Sequence, residues 1–183
     1  MRTKSEKLSS KIRDMCSTAL FTAVIAVLAQ ISVPMPLGVP LTLQTFAVPF
    51  TGIILGAKKG VAAVVVYLLL GALGAPVFTG FSGGFHRIIG PWGGFLLSFP
   101  FMALIVGLGA DSGRKFWLAA SLAAGSAVNL SMGTLQFALV SGVGLKEAFF
   151  AAAAPFIIIE TLKMAAAFGA GGSVKHILKK HGV

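Results

Sequence analysis

Six long runs of apolar residues constrain this chain more than any other feature of its sequence. They lie at about residues 16–33, 43–57, 60–77, 88–110, 116–140 and 148–171. A helix of about 20 residues crosses a bilayer. Backbone groups in lipid must be paired within the protein, and residues 64–70 lack the alternation of a barrel strand, so the runs are predicted to be helices. The predicted fold class is all-α, a polytopic bundle of six transmembrane helices.

The balance of apolar and charged residues excludes an ordinary soluble domain. Hydrophobic residues make up 56 % of the chain and charged residues 11 %, against about 45–50 % and about 25 % in soluble domains. The net charge of +10 is compatible with nucleic-acid binding, but the basic residues cluster at the ends of apolar runs and form no contiguous face. The chain is therefore predicted to be one membrane domain, residues 1–183, that contacts lipid and no nucleic acid.

The distribution of lysine and arginine predicts how the helices are oriented. With a cytoplasmic N-terminus and six helices, twelve basic residues lie on the cytoplasmic side, and only Arg87 and Lys146 lie outside. Basic residues near span ends favour the cytoplasmic side. The sequence therefore predicts a multi-pass membrane protein with both ends in the cytoplasm, in short basic tails at residues 1–15 and 173–183.

Glu160 and Lys163 are ionisable residues within the last apolar run. A charge at the centre of a membrane helix costs about 2.5–3.5 kcal/mol on insertion scales, and a spacing of three residues puts both side chains on one helix face. They can form a buried ion pair that only fixes helix packing, but the favoured interpretation is a polar ligand site. Pro155 is expected to loosen the helix just before this pair.

The two predicted outer connections, residues 34–42 and about 78–91, are the longest in the chain. Long loops between packed elements often carry function. Arg87 can hold a carboxylate of a solute or can be an exposed loop cation, and both interpretations stay open. The glycine- and aromatic-rich stretches 80–85 and 90–95 favour a lined pocket over helix packing alone.

Polar residues within the apolar runs are the remaining candidates. Gln44 and Thr45 begin the second run, where they can bond a solute or cap a helix. Asn129 and Gln136 lie in the fifth run, and hydrogen bonds between helices are their favoured role.

No feature of the sequence indicates an enzyme. The apolar runs hold no Ser–His or Cys–His pair, Cys16 is the single cysteine, and no cluster has the spacing of metal ligands. No phosphate-binding loop motif is present, so the chain is not expected to hydrolyse ATP. The sequence therefore predicts neither a cofactor nor a metal.

Four stretches of the sequence resemble signatures of the BioY family. They are GVPLTLQTFA at 38–47, YLLLGALGAPVF at 67–78, the Gly-Phe-Ser-Gly-Gly that follows, and GPWGGF at 90–95. The resemblance extends over about residues 16–172. BioY proteins are the biotin-specific substrate-binding (S) components of energy-coupling factor (ECF) transporters in prokaryotes.

The resemblance implies an S-component fold, high-affinity biotin binding near the outer face, and a location in a prokaryotic cell membrane. It implies three kinds of partner: biotin as the transported ligand, an ECF transmembrane coupling protein, and two ABC ATPase subunits. Ala19 and Ala23 resemble the family's docking face for the coupling protein. Glu160 and Lys163 match its acid-x-x-Lys motif. The residues expected to bind biotin are Glu160, Lys163, Gln44, Thr45, Tyr67, Phe81, Ser82, Gly83, Arg87 and Trp92.

Two other functions stay open from the sequence. The chain can be a standalone secondary transporter, in which Glu160 and Lys163 form a proton relay. It can also be the S component for another vitamin.

Overall fold

The computed structural model describes residues 4–33 and 40–180, so most of the first predicted outer connection lies outside the described residues. The described chain is mainly helical, with one short antiparallel strand pair and one 3-10 turn, Ala154–Phe156. The helices are α1 Lys4–Ala29, α2 Gln44–Ala72, α3 His86–Ile89, α4 Gly93–Asp111, α5 Lys115–Ser141, α6 Leu145–Ala152 and α7 Ile157–Lys180, and the strands are β1 Ser32–Val33 and β2 Leu41–Thr42.

Gly56 divides α2 into two limbs, residues 44–55 and 57–72. Its φ of 76° and ψ of 177° are not helical, and the left-handed φ suits glycine because no Cβ is present. The chain folds back at this point, since a Cβ on Gly60 would lie 3.0 Å from the Cα of Gly52. The predicted second and third spans are therefore these two limbs, and the turn lies just before Lys58 and Lys59, which had been predicted to form the loop.

The prediction of a six-helix membrane bundle is confirmed. Five stretches of the described chain are long and apolar enough to cross a membrane, at Leu8–Ala29, Gln44–Ala72, Gly93–Asp111, Lys115–Ser141 and Leu145–Lys175. The second of them folds back at Gly56 into two helical limbs, which gives six apolar helices in all. Large apolar side chains such as Leu69, Leu104, Leu139 and Ile158 are exposed on the bundle surface, as lipid-facing residues are.

Three of the predicted spans differ from the helices of the structure. The first helix ends at Ala29, because the chain then forms β1 in place of the predicted helical residues up to Val33. The fourth predicted span is a short helix, α3, followed by α4. The last span is divided by the 3-10 turn that contains Pro155, since proline cannot donate the helical hydrogen bond, and α7 begins afresh at Ile157.

Close packing of α2 on α4 forms the centre of the bundle. A Cβ on Gly52 would lie 2.9 Å from the carbonyl oxygen of Ala103, and a Cβ on Gly107 would overlap the backbone of Ala57. The largest fully buried side chains, including Tyr67, Phe99 and Met102, lie in the same core. Glycine at these contacts lets the helix backbones approach closely.

The two ends of the bundle differ. At one end, here called the Gly56 end, the Asp111 carboxylate accepts a hydrogen bond of 3.0 Å from the backbone N–H of Ala57. The Lys175 ammonium lies 3.7 Å from the same carboxylate, and Lys59 pairs with Asp14 of α1. The opposite end, here called the cavity end, holds the strand pair, the segment 73–92 and a large cavity. The described parts of α1 and α7 nearest the termini therefore lie at the Gly56 end.

Candidate ligand-binding site

A cavity of about 500 Å³ opens at the cavity end of the bundle, a volume typical of small-molecule sites. Every major element except α1 supplies part of its wall. The residues that line it are Pro40, Leu41, Thr42, Gln44, Thr45, Phe78, Thr79, Ser82, His86, Arg87, Gly90, Pro91, Trp92, Phe95, Leu96, Phe99, Asn129, Leu130, Ala152, Phe156, Glu160 and Lys163.

Glu160 and Lys163 form a buried ion pair on the wall of this cavity. Their side chains are 6 % and 9 % exposed, and the Lys163 Nζ lies 2.7 Å from the Glu160 Oε1. Thr45 joins both, because its hydroxyl donates to the Glu160 Oε1 at 2.7 Å and accepts from the Lys163 Nζ at 2.8 Å. Buried charges require such pairing, since an isolated one is strongly disfavoured.

The second carboxylate oxygen of Glu160, Oε2, is free to accept further hydrogen bonds. Among the described residues, the buried Glu160 Oε2 has no hydrogen-bond donor, although an ionised carboxylate can accept several. Glu160 lies in the first turn of α7, where the positive end of the helix dipole favours a negative charge. The break at Pro155 therefore does more than loosen the span: it puts a helix N-terminus beside the carboxylate.

Gln44 is held by a second hydrogen-bond network beside the pair. Its Oε1 accepts from the hydroxyls of Thr42 at 3.1 Å and Thr79 at 3.2 Å, and its Nε2 donates to the Tyr67 hydroxyl. The Tyr67 hydroxyl in turn donates to the backbone oxygen of Val77 at 3.2 Å. The network fixes which way the Gln44 amide points, with its oxygen toward the two threonines.

Aromatic and apolar side chains cover most of the remaining wall. Trp92 lines the cavity and stacks on Phe137, with ring centroids 4.5 Å apart. Phe95, Phe99 and Phe156 contribute further rings. A cavity with these walls and a few fixed polar groups suits a small amphiphilic solute.

The segment 73–92, here called the Gly-rich segment, forms one part of the cavity wall. Arg87, Ser82 and His86 line this part. Arg87 and His86 are exposed to solvent, whereas Glu160 and Lys163 are buried. The cavity therefore has two polar regions of different character: a buried ion pair without net charge and an exposed cation.

Asn129 and Gln136 make the contacts expected of them between elements. Asn129 of α5 donates to the Ser98 hydroxyl of α4 at 2.6 Å, and Gln136 donates to the backbone oxygens of Ile88 and Gly90 at 2.8 Å each. Asn129 also lines the cavity. Thr42, Thr79 and Asn129 were not among the expected ligand-binding residues, and no local sequence signal distinguishes them from ordinary packing residues.

Seven of the ten residues expected to bind ligand line the cavity, namely Glu160, Lys163, Gln44, Thr45, Ser82, Arg87 and Trp92. Tyr67 lies behind Gln44 and is fully buried. Phe81 is 73 % exposed, and a Cβ on Gly83 would overlap the carbonyl of Ala75, so Gly83 serves close backbone packing in this structure. These three residues do not line the wall.

Ala19 and Ala23 lie on an exposed face of α1. Met15, Leu20 and Val27 are also exposed on this helix, at 71 %, 62 % and 66 %. The opposite face of α1 packs on α2, where the Thr22 hydroxyl donates to the backbone oxygen of Ala63 at 2.9 Å. An apolar face with small residues is thus available for contact with lipid or another helix.

Within residues 4–33 and 40–180, no group of three His, Cys, Asp or Glu side chains could hold a metal ion. The fold and the cavity together define a membrane-embedded binding protein for a small solute. The profile of the BioY family matches residues 1–180, and the chain belongs to that family.

Three relatives that are 34–41 % identical to this chain carry the same family name. The chain is 41 % identical over 157 residues to a protein of Pyrococcus horikoshii described as a probable biotin transporter BioY, which covers 86 % of this chain and 93 % of the relative. It is 38 % identical over 159 residues to the biotin transporter BioY of Thermotoga maritima, with 85 % and 92 % covered. The BioY2 biotin transporter of Lactococcus lactis is 34 % identical over 157 residues, with 85 % and 86 % covered.

A solved structure has the same fold. It is described as a crystal structure at 2.1 Å of the S-component for biotin from an ECF-type ABC transporter. The TM-score is 0.84 at 24 % sequence identity, with 96 % of this chain and 95 % of the other covered. The likeness establishes the S-component fold of this chain.

Proposed function

We propose that this protein binds biotin with high affinity and serves as the S component of an ECF-type transporter for biotin uptake. The observation that carries the proposal is the buried Glu160–Lys163 pair on the wall of an amphiphilic cavity, in a chain of the BioY family. Relatives named as biotin transporters support the choice of ligand.

The chemistry of the two polar regions supports one orientation of biotin. The ureido ring is uncharged, with two N–H donors and one oxygen acceptor. It suits the buried pair, because the Glu160 Oε2 can accept from an N–H and the Lys163 ammonium can donate to the oxygen. The valerate carboxylate then lies toward the exposed Arg87, whose guanidinium can bind it bidentately. Trp92 and the phenylalanine rings cover the apolar bicycle and chain.

The partners follow from the same role. A chain that binds solute without an ATP-binding motif needs another source of energy, so we propose a transmembrane coupling protein and two ABC ATPase subunits, with no cofactor and no enzymatic activity in this chain. The exposed Ala19–Ala23 face of α1 is the proposed contact with the coupling protein. The excess of basic residues at the Gly56 end supports cytoplasmic termini, with the cavity opening outside.

Titration calorimetry of the purified protein with biotin tests the binding proposal. We expect submicromolar affinity, and a loss of about 100-fold or more in Glu160→Gln and in Lys163→Met, because each substitution leaves a buried charge without its partner. Glu147→Gln and Lys146→Met are matched controls, since both residues are exposed on α6 outside the cavity. Their affinities are expected to equal that of the wild type.

Two results would count against the proposal. Wild-type binding weaker than micromolar removes biotin as the ligand. Unchanged affinity in both cavity variants moves the site away from the pair. Uptake by proteoliposomes that contain this chain alone, driven by a proton gradient, would instead indicate a standalone transporter.

A further inference from the structure

Gln30, the residue just after α1, clamps the Gly-rich segment from outside the cavity. Its Nε2 donates to the backbone oxygen of Ala26 at 2.9 Å and lies 3.2 Å from the backbone oxygens of both Val77 and Phe78. Its Oε1 accepts from the backbone N–H of Phe81 at 2.8 Å. One amide thus holds a short stretch, residues 77–81, through both its oxygen and its nitrogen.

The clamped stretch forms part of the wall of the cavity. Phe78 and Thr79 lie within it and line the cavity, and Ser82 follows directly. Thr79 also donates to the Gln44 Oε1 at 3.2 Å. Gln30 therefore stands behind residues that face the ligand but does not itself line the cavity.

The backbone at this stretch is not in a relaxed conformation. Phe81 has a φ of 52°, and it is the one residue other than glycine with positive φ in the described chain. A non-glycine residue rarely adopts this region and persists there only where its surroundings impose it. Two contacts hold it: the backbone hydrogen bonds between Phe78 and Ser82 close the turn, and the Phe81 N–H donates to Gln30.

The clamp also joins the segment to a helix that is otherwise separate from the site. Of the helices, α1 packs mainly on α2, and no residue of α1 lines the cavity. The opposite end of the Gly-rich segment is held from α5, where Gln136 donates to Ile88 and Gly90. Loss of Gln30 would remove the only described side-chain hydrogen bond to the Phe81 N–H, while Val77 and Thr79 keep their bonds to Tyr67 and Gln44 and residues 88–90 stay anchored.

We propose that Gln30 is a positioning residue that holds residues 77–81 in place as part of the cavity wall and ties the position of α1 to the retention of the ligand. A displacement of α1 relative to α2 pulls on residues 77–81 through one side chain. Ligand release then follows from movement of α1 without any change in the groups that touch the ligand. The proposal rests on the proposed function for its ligand, and on the hydrogen bonds of Gln30 for its mechanism.

The substitutions Gln30→Ala and Gln30→Glu test it together. Glutamate has nearly the size of glutamine and can accept from the Phe81 N–H, but it cannot donate and sets a negative charge against three backbone oxygens. A role in packing alone would leave Gln30→Glu like the wild type. Ser17→Ala is the matched control, since it removes a side-chain hydrogen bond of α1, to the Asp14 backbone oxygen, that does not reach the Gly-rich segment.

The first measurement is the dissociation rate of labelled biotin from the purified full-length protein. Because each lost hydrogen bond is worth up to about tenfold and both variants lose the bonds that the Gln30 Nε2 donates, we expect dissociation about tenfold faster in both. Ser17→Ala is expected to match the wild type. A wild-type rate in Gln30→Glu overturns the proposal.

The second measurement, amide hydrogen exchange of the ligand-free protein, does not depend on biotin. The N–H of Phe81 is expected to exchange faster in Gln30→Ala, with amides 88–90 unchanged. Equal exchange of Phe81 in the variant and the wild type also overturns the clamp. Failure of the wild type to bind biotin would instead contradict the proposed function, and the exchange result would still decide the clamp.

Discussion

The Gly56 end and the cavity end of this bundle differ in the exposure of their ion pairs and in the space that they enclose. At the Gly56 end, glycines remove side chains so that α2 and α4 touch through their backbones, and the ion pairs Lys59–Asp14 and Lys175–Asp111 lie at the partly exposed surface. At the cavity end, side chains stand apart around about 500 Å³ of space, and the ion pair is buried.

The difference shows where the stability and where the binding of this protein reside. Backbone contacts at glycine leave no space for a ligand, and they hold the helices in fixed positions. Buried polar groups without a full set of partners are costly to the fold, but they are what a ligand can satisfy. Substitutions at the Gly56 end should therefore change stability alone, whereas substitutions of the buried pair at the cavity end should change binding as well.

The largest effect is expected from Lys163→Met. Removal of the ammonium leaves the Glu160 carboxylate buried without its cation, and breaking a buried pair costs about 3–5 kcal/mol. Thermal unfolding in detergent and biotin affinity should both fall sharply. The double variant Glu160→Gln with Lys163→Met should regain most of the stability and none of the binding. A double variant as unstable as the single one would contradict this account of the pair.

The next effect in size is that of Gly107→Ala, at the other end. The added Cβ overlaps the backbone of Ala57, which cannot rotate away as a side chain could, and overpacking of this kind costs about 1–3 kcal/mol. Thermal unfolding should detect the loss, while the protein that remains folded binds biotin as the wild type does. Gly169→Ala is the control: it adds a Cβ in α7 with nothing within 4 Å and should not destabilise.

A smaller effect is expected at the turn of α2. Gly56→Ala places a side chain at a φ of 76° and against the Asp111 carboxylate, and the left-handed backbone alone costs about 1–2 kcal/mol. Gly113→Ala has a similar φ of 69° with open space around it, so it measures the backbone cost by itself. Denaturant unfolding should give a lower free energy of unfolding for Gly56→Ala than for Gly113→Ala. Equal free energies would mean that the contact with Asp111 has no effect on stability.

The smallest effect is expected from Lys59→Met. Its pair with Asp14 is 44 % and 40 % exposed, and an exposed ion pair contributes about 0–1 kcal/mol. The change in unfolding should be near the limit of detection and should shrink further in high salt. A loss as large as that of Lys163→Met would erase the contrast between the two ends.

Features that depend on neighbours along the chain could be predicted from the sequence. The apolar runs gave the helices, and the ionisable residues Glu160 and Lys163, three apart in such a run, were expected on one helix face, where the structure shows them as a buried pair on the cavity wall. Pro155 indicated the break before them. Even the fold-back of α2 was expected near Lys58, and the structure moves it to Gly56, where a positive φ requires glycine.

Features that depend on distant contacts could not be predicted from one sequence. Gln30 meets Phe78 and Phe81 across about fifty residues, and Thr45 meets Glu160 across more than a hundred. Tyr67 was expected to bind the ligand, but hydropathy does not show that its hydroxyl bonds Gln44 instead of facing the cavity. Such placements depend on how helices pack, which the local pattern does not record.

The pairing of Glu160 with Lys163 has a consequence for the electrical energetics of this protein. One unit charge that crosses a membrane potential of 100 mV gains or loses about 2.3 kcal/mol. Two opposite charges three residues apart on one helix move together and cancel, so any tilt of α7 within the bilayer carries almost no net charge through the field. The membrane voltage can then act on such a movement only through other groups, such as Arg87 and the charge of the cargo itself.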